Sequence, residues 1–524
     1  MVETKTKRAI SPAWFATGAI VFLVTSFLLL FPLAIGGDYP NHLARTHIEG
    51  WLATSTALQE YFALRLDFIP DLTMDMIIPW MSHLIGTYKA GALVCVAAIV
   101  IGPIGGILFS KRRHGDASAW LPFLGFATTF NMNLEFGFIN YIVGSGLALI
   151  AFCFWSTIQP GLKRTVCFAL VGLFLTLNHA FGFLLFGYMV LLWEIAKFSF
   201  KERGSAANFL NGLILRDGWA FLPGLLFILV SVLGASDLEK ALPTENIFGQ
   251  RDVATLAPFR FYTSSNSVIT AYVSIISISV GIFVGLWRRV IEIDKDMAVV
   301  CAGLGILALA MPVSFMGIWG LYFRFGVVFF IVLAASIRFR QPNAELSAVV
   351  GVAIGGLIVL QVMNAAPNLV RTADQFETVR ATFSHLPKGA RVLPVSDGVA
   401  DQIFAHHAVS LAVIEADAFV PNLFTNTSPV DVRDAYKHLH SPQGIPITAD
   451  ALKEGLNKSL PKAENGHWTR DFYFSWPNSF THILFVRADA QKSLDFQELC
   501  LIKESENHAL YEIKSDPRGL CQGG

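Results

Sequence analysis

The sequence predicts a polytopic α-helical membrane protein of about eleven transmembrane helices, followed by a small C-terminal α/β domain outside the cytoplasm. Three observations predict this fold class. Of the 524 residues 54% are hydrophobic and only 15% are charged, whereas soluble domains carry about 25% charged residues. Apolar runs of near-spanning length recur as far as residue 363, with basic clusters between them. After about residue 364 charges, prolines and histidines return.

The predicted spans share an apolar composition and a length of about 20 residues or slightly less, since protein can shield a short helix end. They are residues 14–35, 88–110, 118–131, 138–157, 165–178, 181–198, 218–235, 267–287, 297–312, 322–337 and 345–363. The first is longer than a signal-peptide core and lacks a convincing cleavage site, so we expect it to be retained.

Basic clusters set the orientation, because they fall on every second connection and cytoplasmic loops carry the excess of Lys and Arg. The clusters lie at 5–8, 111–113, 163–164, 197–216, 288–295 and 338–340. An odd number of spans then leaves the N-terminus in the cytoplasm and the C-terminus outside. We expect a membrane module at 1–364, with a first outer loop at 36–87, and an extracytoplasmic domain at 365–524. Cys500 and Cys521 would be able to form a disulfide there.

The most informative segment is GGDYPNHLAR at 36–45, directly after the first span. Its proline suits the first turn of a helix. On such a helix His42, Arg45 and Glu49 share one face, because offsets of three, four and seven residues return to one side. Asp38 precedes the helix at its positive end, where a carboxylate is favoured as the anion. This predicts a proton acceptor beside phosphate-binding donors; the alternative is an amphipathic surface helix with an acidic cap.

Other predicted outer helix ends also carry polar side chains. These are Asn131, Asn133, Glu135 and Asn140, then Asn178 and His179, and finally Trp319, Tyr322 and Arg324. Ionisable groups near membrane depth are costly and usually face a cavity or a partner. Their shared leaflet predicts a common cavity, and the alternative for Glu135 and Arg324 is a structural salt bridge. The expected substrate-binding residues are His42, Arg45, Glu135, His179 and Arg324.

Three further patterns suggest metal sites but have simpler interpretations. The Asp-Lys-Asp run at 294–296 has the spacing of many metal-dependent sugar transferases, yet it lies in a predicted cytoplasmic loop and is expected to be solvated. Asp67, Asp71 and Asp75 recur every four residues, and an ordinary solvated face is favoured there. The histidines at 406–407 would point about 100° apart on a helix, which argues against a shared metal ion.

The loop and the topology together resemble the GT-C superfamily of integral-membrane glycosyltransferases. The resemblance is carried by Gly-Asp-Tyr-Pro-x-His-x-x-Arg at 37–45, by Gly-Phe-Ile-Asn at 137–140 and by Arg324 at the start of a late helix. It covers the whole architecture and implies a sugar donor on a polyprenyl phosphate, with Asp38 as a base or metal ligand toward the acceptor. Asp38 has no paired acidic neighbour, which leaves metal dependence open. The Trp-Trp-Asp signature of oligosaccharyltransferases is absent.

The resemblance therefore implies a glycosyltransferase of the bacterial inner membrane that moves a hexosyl or pentosyl unit from a polyprenyl-phosphate donor. The acceptor would be an extracytoplasmic glycan, lipid or protein, the lipid bilayer is the other partner, and no nucleic acid is expected. No cofactor is assigned, and a divalent cation is left open. The alternative is a transporter or flippase of lipid-linked substrates, although most helices lack mid-span ionisable residues and no paired broken helices are visible. About eleven spans are too many for an anchor of a ligand-binding tail.

Overall fold

The structure is a computed structural model that describes residues 12–65, 69–115, 120–200, 212, 217–234, 251–261, 264, 266–315, 318–341, 344–398, 402–425, 428–441, 447–456 and 475–514. Its helices, in chain order, are α1 (Pro12–Leu30), α2 (Tyr39–Trp51), α3 (Thr56–Tyr61), α4 (Thr73–Ile85), α5 (Thr87–His114), α6 (Leu124–Ala127), α7 (Met132–Glu135), α8 (Ile139–Trp155), α9 (Leu162–Asn178), α10 (Ala180–Phe200), α11 (Leu222–Gly234), α12 (Arg251–Leu256), α13 (Ser267–Trp287), α14 (Lys295–Ala310), α15 (Leu321–Ser336), α16 (Ala344–Phe383), α17 (Gln402–Ala408), α18 (Leu411–Ala416), α19 (Ala449–Leu456) and α20 (Trp476–Ser479).

The strands are short in comparison with the helices. They are β1 (Phe62–Leu64), β2 (Ile291–Ile293), β3 (Ser314–Phe315), β4 (Ile318–Trp319), β5 (Ile337–Phe339), β6 (Val392–Ser396), β7 (Val430–Val432), β8 (Ile447–Thr448), β9 (His482–Val486), β10 (Leu499–Glu504) and β11 (His508–Ile513). Single 3-10 turns lie at Leu121–Phe123, Gly218–Ala220, Ala257–Phe259 and Asp434–Leu439. The protein is thus mostly helical, with a small sheet near its C-terminus.

Four of the described helices are long and apolar enough to cross a membrane. They are Thr87–His114, Ala180–Phe198, Ser267–Trp287 and Ala344–Phe383. Further apolar helices, shorter than these, are Trp14–Leu30, Ile139–Trp155, Leu222–Leu233 and Leu321–Ser336. The prediction of an integral membrane protein is confirmed, whereas the predicted count of about eleven spans is not.

The predicted third span at 118–131 is wrong in its described part, residues 120–131. A 3-10 turn at Leu121–Phe123 leads into α6, which has only four residues. The hydroxyls of Thr128 and Thr129 then donate to backbone carbonyls three residues earlier, at 2.8 Å each. Such local side-chain bonds compete with helix continuation. The turn-forming residues therefore outweigh the apolar composition of this stretch.

The chain forms two compact units, and each has its own core. The first unit consists of Met1–Leu30, Cys95–Leu134 and Tyr141–Pro367. Aromatic rings fill its centre, where Trp155 lies 5.0 Å from Phe168 and 6.0 Å from Phe186, both edge to face. Glycine allows helices α5 and α8 to meet closely, since a Cβ on Gly146 of α8 would lie 2.4 Å from the side chain of Ile101 in α5. Small residues at contacts are typical of membrane helices, because lipid supplies no hydrophobic force between them.

The second unit consists of Phe31–Val94, Glu135–Asn140 and Asn368–Gly524. A five-stranded sheet of order β10-β11-β9-β6-β8 lies in it, with β9 parallel to β6 and antiparallel to β11. Every residue of β6 and β9 is buried, as in strands covered on both faces.

Residues of the predicted first outer loop also belong to the second unit. β1 pairs antiparallel with β7, and the hydroxyl of Ser55 donates to the carboxylate of Asp417 at 3.0 Å. The predicted domain boundary at residue 364 lies near the observed change of unit after Pro367, but the second unit takes in residues 31–94 as well. Cys500 of β10 is disulfide-bonded, and Cys521, its expected partner, lies outside the described residues.

Candidate functional site

Two glycines position Asp38 at the start of α2. Gly37 and Gly137 have φ angles of +53° and +73°, which glycine adopts without strain. The N–H of Asp38 donates to the carbonyl of Phe136 at 2.9 Å. A Cβ on Gly137 would lie 2.5 Å from the backbone nitrogen of Tyr39, so the two chain segments can approach only because both glycines lack side chains. The carboxylate of Asp38 is therefore carried on a tightly fixed backbone.

The Asp38 side chain makes no capping hydrogen bond to α2, although Asp38 is the N-cap residue as predicted. Instead its Oδ1 lies 3.3 Å from Nε2 of His407 in α17. The Asp38 side chain is 29% exposed and that of His407 is 7% exposed. The base expected from the sequence thus contacts a histidine from the far end of the chain.

Burial lowers the pKa of His407 well below its usual value, and the nearby imidazoles of His406 and His42 add to this effect. His407 is therefore neutral near pH 7, and its contact with Asp38 is a hydrogen bond donated by a neutral ring. In the sequence, the adjacent histidines at 406–407 suggest only a metal site. No sequence signal links this pair to Asp38, because the two lie more than three hundred residues apart and meet through tertiary folding.

An aromatic cluster surrounds this contact. The ring of Phe424 lies 5.6 Å from His407, 6.1 Å from His406 and 6.3 Å from His42, measured between centroids. His42 is buried beside Phe424, which places this expected substrate-binding residue in the same cluster as Asp38. The cluster thus packs one phenyl ring and three imidazoles together on the histidine side of the contact.

The middle of α2 holds a different arrangement, an ion pair closed off from solvent. The side chains of Arg45 and Asp75 are 0% and 2% exposed, and Arg45 Nη2 lies 2.6 Å from Asp75 Oδ2. Burial raises the pKa of Glu49 to about 10, and the Asp75 carboxylate adds to the effect. Glu49 is thus protonated near neutral pH, beside the carboxylate of Asp75. The solvated face predicted for Asp75 is wrong, because α4 packs this carboxylate onto α2.

Three further acidic residues named from the sequence are Asp71, Asp67 and Glu135. Asp71 uses its backbone carbonyl, which accepts from Arg45 at 3.3 Å and from Asn140 at 3.0 Å, whereas Asp67 lies outside the described residues. Glu135 ends α7 and belongs to the second unit with Asp38. Its backbone carbonyl lies 3.5 Å from where a Cβ on Gly36 would stand. The structure thus brings Asp38, His42, Arg45 and Glu135 into one unit.

The other two expected substrate-binding residues, His179 and Arg324, meet in the first unit around Tyr141. The Tyr141 hydroxyl donates to the Arg324 carbonyl at 2.8 Å. The Arg324 guanidinium lies 5.3 Å from the centre of the Tyr141 ring and donates to the carbonyl of Trp319 at 3.0 Å. The His179 ring lies 5.6 Å from that of Tyr141. A buried guanidinium and an imidazole therefore share one aromatic platform, and the common cavity stays a prediction.

The predicted solvated loop at 294–296 is wrong. Arg113 Nε donates to Asp294 at 2.7 Å and its Nη2 donates to Asp296 at 3.0 Å. Asp294 also caps α14 by accepting from the backbone N–H of Asp296 at 3.0 Å. These carboxylates therefore have structural partners. Across the part of the chain that the structure describes, no group of three or more His, Cys, Asp or Glu side chains could hold a metal ion.

Comparison of the sequence with protein-family models and with curated proteins gives no match. Among solved structures, the crystal structure of ArnT from Cupriavidus metallidurans bound to undecaprenyl phosphate is similar over 98% of this chain and 100% of the ArnT chain, with a TM-score of 0.53 and 12% identity. ArnT in the apo state is similar over 97% and 99%, with a TM-score of 0.50 and 10% identity.

The oligosaccharyltransferase of Archaeoglobus fulgidus, in complex with zinc and sulfate, is similar over 90% of this chain and 68% of its own. Its TM-score of 0.39, at 10% identity, is too low to support an inference. The fold of this chain is therefore similar to that of ArnT, and the resemblance expected from the first outer loop and the topology is supported at the level of the fold alone.

Proposed function

We propose that this protein is a membrane glycosyltransferase that moves a sugar from a polyprenyl-phosphate donor to an acceptor outside the cytoplasm, with Asp38 as the catalytic base. The observation that carries the proposal is the position of Asp38: a partly exposed carboxylate on a fixed backbone at the start of α2. The similarity of fold to an ArnT structure that contains undecaprenyl phosphate supports the donor class.

In the proposed reaction Asp38 accepts the proton of an acceptor hydroxyl. The acceptor oxygen forms a bond to the anomeric carbon of the sugar, and the bond from that carbon to the donor phosphate oxygen breaks. Polyprenyl phosphate leaves with the electron pair of the broken bond. The proton on Asp38 then passes to water, which restores the carboxylate. General-base help of this kind typically contributes about 10²–10⁴ in rate.

We propose that Arg324 and His179 bind the donor phosphate, and separately that His42 is a substrate-binding residue in the cluster that contains Asp38. A guanidinium matches phosphate oxygens in geometry and charge, and Arg324 is held in place through Tyr141 and Trp319. Arg45 has another role, because its guanidinium is enclosed and paired with Asp75. We propose that Arg45 keeps α2 in place and does not touch the donor, while Glu135 binds sugar hydroxyls.

We place the protein in the cytoplasmic membrane with its N-terminus inside and its C-terminal region outside. The basic clusters of the connections support this orientation. The disulfide of Cys500 fits the same placement, because disulfides persist in oxidising compartments and are rare in the cytosol. The acceptor must then be reached from the extracytoplasmic side.

The proposal is tested by incubating membranes that contain the protein with a panel of labelled polyprenyl-phosphate hexoses and pentoses. We expect one donor to lose its label to a glycan, lipid or protein fraction. Asp38→Asn should lower this transfer at least about 10²-fold without changing insertion or folding. Asp434→Asn is the matched control, since this carboxylate is exposed and should leave transfer unchanged.

Two results would contradict the proposal. Full transfer by Asp38→Asn would remove Asp38 as the base. Movement of intact labelled donor across the bilayer, with no transfer and no dependence on Asp38, would instead identify a flippase.

A further inference from the structure

The hydrogen bond between His407 and Asp38 has a defined direction. Nδ1 of His407 has no hydrogen-bond partner within the part of the chain that the structure describes. Nε2 faces the carboxylate oxygen of Asp38 at 3.3 Å. A neutral ring protonated on Nδ1 would point a lone pair at that carboxylate, which is repulsive. The proton therefore sits on Nε2 and is donated to Asp38.

A chain of side-chain to backbone hydrogen bonds fixes the segment that surrounds this ring. The Asn41 amide donates to the carbonyl of Asn422 at 3.0 Å and accepts from the backbone N–H of Phe424 at 2.8 Å. The Asn422 amide in turn donates to the carbonyl of His406. Because Asn41 lies in α2, next to the residues that carry Asp38, the orientation of α17 is tied to the helix of the proposed base.

A purely structural role explains this arrangement poorly. The backbone of Asp38 is already held by Phe136 and by the glycine contact at Gly137, so the start of α2 does not depend on His407 for its support, and only the orientation of the Asp38 side chain is left for His407 to set. Burying an imidazole with one nitrogen unsatisfied costs about 1–3 kcal/mol, and an apolar residue would fill the same space without that cost. The Nε2–H donor is what distinguishes histidine here.

We propose that His407 is a positioning residue for Asp38: its Nε2–H holds carboxylate atom Oδ1 and thereby aims the carboxylate at the acceptor hydroxyl. This inference rests on the proposed function of Asp38 as a base. Through His407, the C-terminal region becomes a part of the reaction site, in addition to any contact that this region makes with the acceptor. If the carboxylate turns out of line, the rate of transfer falls while the protein still binds the sugar donor, because a displacement of about 1 Å can cost about 10²-fold in rate.

The test compares two amides of different reach at position 407 in the full-length protein. His407→Gln places an N–H donor about where Nε2 lies, whereas the amide of His407→Asn is one methylene too short. His407→Leu removes the donor and keeps an apolar filling. His438→Leu is the control, since His438 is exposed in the same unit. Transfer kinetics with labelled polyprenyl-phosphate sugar give kcat and KM, and thermal unfolding reports folding.

We expect His407→Asn and His407→Leu to lower kcat about 10- to 100-fold with KM for the donor nearly unchanged. We expect His407→Gln to stay within about five-fold of the unmodified protein, because it restores the donated hydrogen bond. Equal loss in the Gln and Asn variants, or full activity in the Leu variant, would overturn the inference.

The outcome for Asp38 separates this inference from the proposed function. An inactive Asp38→Asn variant beside a fully active His407→Leu variant leaves the base in place and removes only the positioning role. An active Asp38→Asn variant removes both. If a 407 variant fails to fold, the others still decide: full activity in His407→Leu or in His407→Asn overturns the inference, and activity of His407→Gln well above that of either supports it.

Discussion

The start and the middle of helix α2 hold ionisable side chains in opposite situations. At the start, Asp38 is 29% exposed and contacts a neutral histidine. Further along, Arg45 is 0% exposed and pairs with Asp75. A buried and paired charge stays in one state, whereas a partly exposed carboxylate can exchange a proton with a substrate. The difference shows that the exposure of an ionisable side chain decides its role on this helix: the partly exposed carboxylate is available for reaction, and the enclosed arginine is structural.

The largest expected effect comes from removing the guanidinium of the buried ion pair. Arg45→Ala leaves the Asp75 carboxylate enclosed without its cation, and breaking a buried pair costs about 3–5 kcal/mol. We expect a much lower unfolding temperature in detergent, and a poor yield of folded protein. Arg371→Ala, at an exposed arginine in the same unit, should change stability by less than about 0.5 kcal/mol. An unchanged unfolding temperature in Arg45→Ala would mean that the pair does not hold α2.

A smaller effect on stability, with a clear effect on transfer, is expected for Gly137→Ala. The new Cβ would meet the backbone nitrogens of Tyr39 and Asp38 at 2.5 and 2.9 Å, so the segment that carries the base must shift. We expect transfer to fall by at least about ten-fold and the unfolding free energy by about 1–3 kcal/mol.

Gly86→Ala is the matched control for this substitution. Gly86 also has a positive φ, +83°, but a Cβ there has no heavy atom within 4 Å. Both variants therefore suffer the same kind of backbone strain, and only Gly137→Ala displaces Asp38. Equal transfer by the two variants would show that the position of Asp38 tolerates the shift.

The smallest expected effect is a change in how stability depends on pH. The pKa of Glu49 is raised from 4.5 to about 10, so the stability that its protonated form contributes is complete below pH 4.5 and is lost as pH rises toward 10. Glu49→Gln mimics the protonated form at every pH. We expect it to be more stable than the unmodified protein by about 1–3 kcal/mol at pH 9, and nearly equal at pH 5.

The matching measurement is thermal unfolding at pH 5 and pH 9 with Glu506→Gln as the control, since Glu506 is exposed. Glu506→Gln should follow the unmodified protein at both pH values. If Glu49→Gln instead loses stability at pH 9, Glu49 is ionised in the folded protein and its pKa is not raised.

Local patterns in the sequence predicted the parts of this site that lie close together in the chain. The proline and the spacing of residues 36–49 predicted helix α2 and the place of Asp38 at its start, and both are found. Composition predicted the membrane helices and the polar C-terminal region. These features depend on short-range rules of helix initiation and hydropathy, which act within one segment of chain.

Tertiary contacts explain what the sequence did not predict. Asp75 looks like a member of a solvated row until α4 packs it against Arg45, and no pattern in either segment signals that pairing. His407 reaches Asp38 only because residues 31–94 and 368–524 fold as one unit. The two segments pair through the strands β1 and β7. Strand β1 has only three residues, which is too few to show the alternating pattern of a strand in the sequence.

The most direct test of the central claim measures transfer and stability together on two variants from the same helix, Asp38→Asn and Arg45→Ala. We expect Asp38→Asn to keep its unfolding temperature and to lose transfer per folded molecule by about 10²-fold or more. We expect Arg45→Ala to lose stability, while the molecules that remain folded keep most of their transfer. A stable Arg45→Ala variant without transfer, beside an active Asp38→Asn variant, would exchange the roles of the two residues and contradict the assignment of Asp38 as the base.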